Sequence, residues 1–177
     1  MRMALGFKSA VAIAAALAAT HAGAQSVDEY HVKAAFVFNF AKFIEWPTDS
    51  FKGPDDPLMI CVLGQDQMAN SLREAVNGKA IDGRTLVVRQ VTIGQISNDC
   101  NILFVGSSAT KRFRSSLRES AGLLTVGETP GFATDGGVIC FKLEDGKIRF
   151  EINVAAAEHQ QLHISSKLLS LAEIVKR

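Results

Sequence analysis

The chain has 177 residues, 47% of them hydrophobic, and its 19 Lys and Arg against 18 Asp and Glu leave a formal charge of +1. That length suits one ordinary domain with a real hydrophobic core. So even a charge balance, with no Lys/Arg run interleaved with aromatics, excludes a nucleic-acid partner.

The first residues have the three parts of a secretory signal: basic Arg2 and Lys8, an apolar stretch from Ala10 to Ala19, and small residues at Ala22-Gly23-Ala24. The apolar stretch is about ten residues long, whereas a membrane-spanning helix takes about 20. The pattern predicts a signal peptide over residues 1–24, cleaved after Ala24, and export of residues 25–177 as one soluble domain. No cysteine follows the cleavage site to carry a lipid.

Val27 to Trp46 reads as a helix, with Asp28 and Glu29 at the positive end of its dipole and Pro47 as its stop. At 100° per residue, Val32, Phe36, Phe40 and Phe43 form its expected core face, with Val37 and Ile44 at the margin. Phe38 falls on the opposite side beside His31, Lys42 and Glu45. An apolar ring among polar neighbours makes it a candidate contact for a partner or a second copy.

Asp49 to Pro57 is a loop, rich in Pro, Gly and Asp. Leu58 to Leu63 is a continuous apolar run of strand length, the mark of a strand covered on both faces. It ends at Gly64, and Asp66 to Val76 follows with Met68, Leu72 and Val76 at helical spacing. Arg84 to Val91 is a second strand entered through Asp82-Gly83, and Asn101 to Val105 a third, leaving through Gly106-Ser107-Ser108 into a helix from Ala109 to Ser120. Leu123 to Val126 is a short fourth strand.

Val138 to Leu143 and Lys147 to Asn153 form a hairpin about Asp145-Gly146, a register that sets Phe141 opposite Phe150 and Leu143 opposite Ile148. A last helix from about Ser165 carries Leu168, Leu171, Ala172 and Val175 on one face. Apolar strands alternating with amphipathic helices predict an α/β fold: a mainly parallel, doubly wound sheet with an antiparallel C-terminal hairpin at its edge.

Among residues that carry chemistry, the cysteines come first. In a sheet of order 2-1-3 the strands at Cys61 and Cys100 are parallel neighbours, and both residues sit at the same end. This places Cys61 and Cys100 at bridging distance, with Cys140 as the free thiol. The alternatives are two reduced core residues or a pair that includes Cys140. No Cys-x-x-Cys redox motif occurs.

His159 and His163 are four apart, as zinc ligands on one helix can be, but the sequence has Gln160 where a zinc protease has Glu. They read as solvated residues of a polar connection, and no metal or other cofactor is expected. Gly64-Gln65-Asp66 and Gly106-Ser107-Ser108 line the crevice at the carboxyl ends of the first and third strands, where backbone N–H groups at a helix start suit an anion. Ordinary helix capping explains the same residues. No nucleophile, base and orienter come together in any motif, so an enzyme is not expected.

Four segments, YHVKAAFVFNFAKFIEWP from Tyr30, LTVGETPGF from Leu124, FEINVAAA from Phe150 and LHISSKLLSLA from Leu162, together resemble the YfiR-like family of exported bacterial proteins. The resemblance implies a periplasmic regulator, able to form a homodimer, that represses an inner-membrane diguanylate cyclase by binding its periplasmic part. It also implies relief by an outer-membrane lipoprotein, and control of cyclic di-GMP and biofilm formation. Family members carry a cysteine pair at the positions of Cys61 and Cys100. Some carry a second bridge, for which Cys140 here has no partner. Two other readings fit the residues: an accessory subunit of a sensor kinase, and a periplasmic small-ligand receptor using the crevice beside Gly64 and Ser107.

Overall fold

The computed structural model describes residues 29–64, 66–114 and 121–175. The expected signal peptide and its cleavage site, Gln65, and the expected helix beyond Arg114 lie outside the described residues.

In chain order the strands are β1 (Ile44–Glu45), β2 (Leu58–Leu63), β3 (Ala80–Ile81), β4 (Arg84–Val91), β5 (Ile102–Val105), β6 (Leu124–Gly127), β7 (Ile139–Glu144), β8 (Lys147–Ile152), β9 (His163–Ile164) and β10 (Glu173–Ile174). The helices are α1 (29–41), α2 (Asp66–Val76), α3 (Thr110–Arg114), α4 (Val154–His159) and α5 (Ser166–Leu169). Eight strands form one sheet in the order β10-β8-β7-β6-β5-β2-β4-β3. Strands β4, β2, β5, β6 and β7 run parallel, and β3 and β8 run against them. The α/β expectation and the 2-1-3 order at its centre therefore hold.

Alternation along each strand splits the core in two. One face, with Ile60, Val62, Phe104, Val126 and Phe141, is covered by α1 and α2. The other, with Cys61, Leu103, Val105 and Cys140, packs against Ala109, Phe113 and Phe132 on the α3 side. The hairpin has the expected register, Phe141 opposite Phe150 and Leu143 opposite Ile148. Asp145 and Gly146 have φ of 51° and 71°, as a two-residue turn matched to strand twist requires.

Three expectations are corrected. On α1 the buried residues are Ala34, Val37, Phe40 and Ala41, while Val32 is 39% exposed and Phe36 and Phe43 are half-buried. The helix is turned so that small Ala34 and Ala41 approach the sheet, and Lys33 goes inside because ion pairs receive it. The phenylalanines still reach the hairpin, with Phe40 and Phe150 ring centroids 4.9 Å apart.

The C-terminal helix is one turn only. Ser165 caps it and Leu168 is buried, but Leu171 is 67% exposed and the chain then extends as β10, whose pairing with β8 includes a bond from Val175 N to Ile152 O of 2.9 Å. Covering open backbone groups on β8 outweighs continued helix, because a sheet edge leaves a row of them unpaired. For the same reason the hairpin is not the bare edge of the sheet. Third, Asn153 is not strand. Its side chain accepts from Ala156 N at 2.9 Å and starts α4, a helix in the segment after the hairpin for which the sequence reading had no element.

Candidate functional site

Two of the residue groups singled out in the sequence become built features. Cys61 on β2 and Cys100 at the entry to β5 form a disulfide with Cα atoms 5.8 Å apart, both buried. Asn101 locks the register beside it: its side chain accepts from Met59 N at 2.8 Å and its own N–H donates to Met59 O at 3.0 Å. Arg89 is the β4 partner of Cys61 in register, and its guanidinium lies 3.9 Å from Cys61 Sγ and 3.7 Å from Cys100 Sγ. Asp99 holds that guanidinium at 2.9 Å. The Asp99 carboxyl is kept below its ordinary range, first by the Ser97 hydroxyl and then by Arg89.

The second feature is the crevice at the carboxyl ends of β2 and β5. Gly64 has φ +86°, and a Cβ there would lie 2.8 Å from Ala109 Cβ, so only glycine lets the two loops touch. Ser108 Oγ donates to Gly64 O at 3.1 Å, and Gly106 N donates to Leu63 O at 2.9 Å. Of Gln65 nothing is described, and of Asp66 only that it begins α2.

The exposed N–H of Ser107, the expected anion donor, donates to Glu128 Oε1 at 3.0 Å. Glu128 follows β6, and its other oxygen accepts from Lys33 Nζ of α1 at 2.7 Å. Lys33 also pairs with Glu29 at 2.6 Å. Both the Lys33 and Glu128 side chains are only 6% exposed. The Tyr30 hydroxyl faces Glu128 Oε1 at 3.5 Å.

Burial alone would lower the Lys33 ammonium, but hydrogen bonds and charge from Glu128 and Glu29 outweigh it and hold it above its usual value. Burial and then the Glu128 charge push the Tyr30 phenol up. The anion at this helix start is thus the chain's own carboxylate, tied through a buried lysine to α1. Sequence reasoning missed both residues. A buried lysine needs a carboxylate partner, but helical periodicity places Val32 rather than Lys33 on the core face, so no local signal points to the pair.

The remaining candidates lie apart. Cys140 on β7 is buried on the disulfide's face of the sheet, with Sγ 3.3 Å from Thr129 O, and burial followed by the Glu151 charge pushes its thiol up to about 11. Phe38 is half-buried in a groove between α1 and α2, with Lys42 Nζ 4.1 Å and Lys79 Nζ 4.4 Å from its ring centre. His159 ends α4 and His163 lies on β9, both exposed and on different elements. Among the described residues no three His, Cys, Asp or Glu are grouped as metal ligands, and no helix is long and apolar enough to cross a membrane.

The molecule is thus a doubly covered α/β sheet, cross-linked at its centre, in whose crevice the Ser107 N–H is taken by the chain's own Glu128. A family model described as YfiR/HmsC-like matches residues 30–173, and the chain belongs to that family. The family is a regulatory, non-catalytic one, and membership supports, at the family level, a periplasmic regulator of cyclic di-GMP signalling. Comparison with curated proteins gave no match.

Proposed function

We propose that this chain, freed of residues 1–24, binds and represses a membrane-bound diguanylate cyclase from the periplasmic side, limiting cyclic di-GMP and biofilm formation. The observation that carries this is family membership over residues 30–173. That Glu128 already takes the Ser107 N–H supports binding through a surface rather than capture of a small anion at that N–H. Relief by an outer-membrane lipoprotein and self-association as a homodimer belong to the same proposal.

The test is deletion of the gene in its native host, with cyclic di-GMP and biofilm mass measured, followed by affinity capture from solubilised membranes. A rise in both quantities and a cyclase among the captured proteins are expected. Unchanged cyclic di-GMP, or a captured sensor kinase with no cyclase, refutes it. Mass spectrometry of the periplasmic protein checks the processing, which should leave Gln25 as the first residue.

A further inference from the structure

The two borders of the sheet are finished differently. At one, β10 pairs with β8, and exposed Lys147 and Arg149 interrupt the rest of that strand. At the other, β3 covers only Arg84 and Thr85 of the eight-residue β4. Among the described residues no strand pairs with the outer side of β4 from Leu86 to Val91. This stretch is rich in β-branched residues, and Val87 is 40% exposed. Its one charge, Arg89, is drawn onto the disulfide and Asp99. Natural sheets normally blunt such an edge with charge, proline or a bulge.

The direction of the free groups follows from the β3–β4 turn. Ile81 and Arg84 flank the two-residue turn Asp82-Gly83, so they are the hydrogen-bonded pair of that hairpin, and the Arg84 N–H and C=O point toward β3. Alternation then turns the N–H and C=O of Leu86 and Val88 outward, while Thr85 and Val87 serve the β2 side.

Beside this edge lies a groove of about 420 Å³ lined by Arg73, Val76, Lys79, Leu86 and Val88 among others, and none of its lining residues is acidic. A second copy joined edge to edge about a twofold axis normal to the sheet would place both α2 helices on the same face. It would set Arg73 and Lys79 opposite their own kind, which is unfavourable.

We infer that the β4 edge at Leu86 to Val88 is a docking site for an extended segment of another protein, one that adds as a strand and turns carboxylate side chains into the Arg73–Lys79 groove. Main-chain hydrogen bonds from Leu86 and Val88 give the affinity, and the basic groove gives the choice of sequence. The inference rests on the reading that the chain works by binding another protein, but not on that protein being a cyclase.

The test uses the purified mature protein with its disulfide intact and a labelled ten-residue peptide alternating valine and glutamate, compared with its valine–lysine counterpart. Fluorescence anisotropy reads binding, and amide exchange reads the edge. The glutamate peptide should bind at least about tenfold more tightly than the lysine peptide and slow exchange at Leu86 and Val88. Val88→Pro removes one outward donor at a position where an edge strand tolerates proline, and should weaken binding by about tenfold. Arg73→Glu, at an exposed position, should reverse the preference between peptides. Equal binding of both peptides, no binding at the solubility limit, or binding without protection of Leu86 and Val88 overturns the inference. So does protection that grows with protein concentration in the absence of peptide, which would assign the edge to a second copy. Because no cyclase enters the assay, its failure leaves the repression experiment to stand or fall separately.

Discussion

Glu128→Ala removes the carboxylate that joins α1 to the start of α3, and its effect can be worked from the contacts. The Lys33 ammonium, with a side chain 6% exposed, loses its 2.7 Å partner. Breaking a buried pair from one side costs about 3–5 kcal/mol, because the remaining charge stays desolvated. Here Glu29, 33% exposed, remains at 2.6 Å and offsets part of that loss. Ser107 is exposed, so water replaces the bond its N–H loses. A cost of about 2–4 kcal/mol is therefore expected in urea unfolding, with the disulfide intact in both proteins. For a domain of this size that is a fall of roughly 4–16 °C in Tm. The double variant Lys33→Met/Glu128→Leu removes both buried charges, leaves only the one-third exposed Glu29 without its partner, and should recover most of the loss. A single-variant cost below about 0.5 kcal/mol, or a double variant worse than the sum of the two singles, would refute the account of a buried latch.

Replacing Cys61 and Cys100 with serine opens a loop closed across 39 residues of sequence, and should cost about 4 kcal/mol in urea unfolding, read against the wild type without reductant. A thiol reagent at mild alkaline pH should label no cysteine in the native protein and only Cys140 after denaturation without reductant, since its buried thiol has been pushed up to about 11. Asp99 has a lowered folded-state value, so its contribution is full above its ordinary value of 3.8 and is lost as pH falls through the lower folded value. The stability gap between wild type and Asp99→Asn should thus be flat from about pH 5 to 8 and close in stronger acid. Phe38→Ala removes a ring flanked by two ammonium groups and should cost about 1–2 kcal/mol. Unchanged repression and self-association in the milder Phe38→Asn would remove Phe38 from any partner surface.

What could be read before the structure, and what could not, divides along physical lines. Continuous apolar runs such as Leu58–Leu63 declare a strand buried on both faces, and Asp145-Gly146 declares its own turn, because both signals are local. Strand order put Cys61 and Cys100 at the same end of neighbouring strands and so made their bridge the favoured pairing, without excluding reduced cysteines or a pair with Cys140. The rotation of α1 did not, since periodicity ranks Val32 as apolar but cannot show that a distant Glu128 draws Lys33 inward instead. Likewise the Ser165 segment carries a true cap and a helical pattern, yet ends after Leu169 because β8 offers backbone groups that only tertiary structure reveals. At the predicted crevice the Ser107 N–H goes to Glu128, which lies 21 residues away in sequence, and no motif links the two.

The four segments that carry the family resemblance are scattered in sequence, but they meet around α1. Its Lys33 takes Glu128 from the second segment, its Phe36 and Phe40 rings meet Phe150 of the third at 5.7 and 4.9 Å, and Ile44 just beyond it pairs with Ile164 of the fourth. Each segment is thus one side of a single packing unit built on one face of the sheet, and their fixed order reflects the chain path that closes it. The Gly127 in the second segment fits the same logic from the other face: a Cβ there would meet the Phe132 ring at 2.4 Å, so glycine lets the loop carrying Glu128 fold back over the sheet. The β4 edge lies outside all four segments.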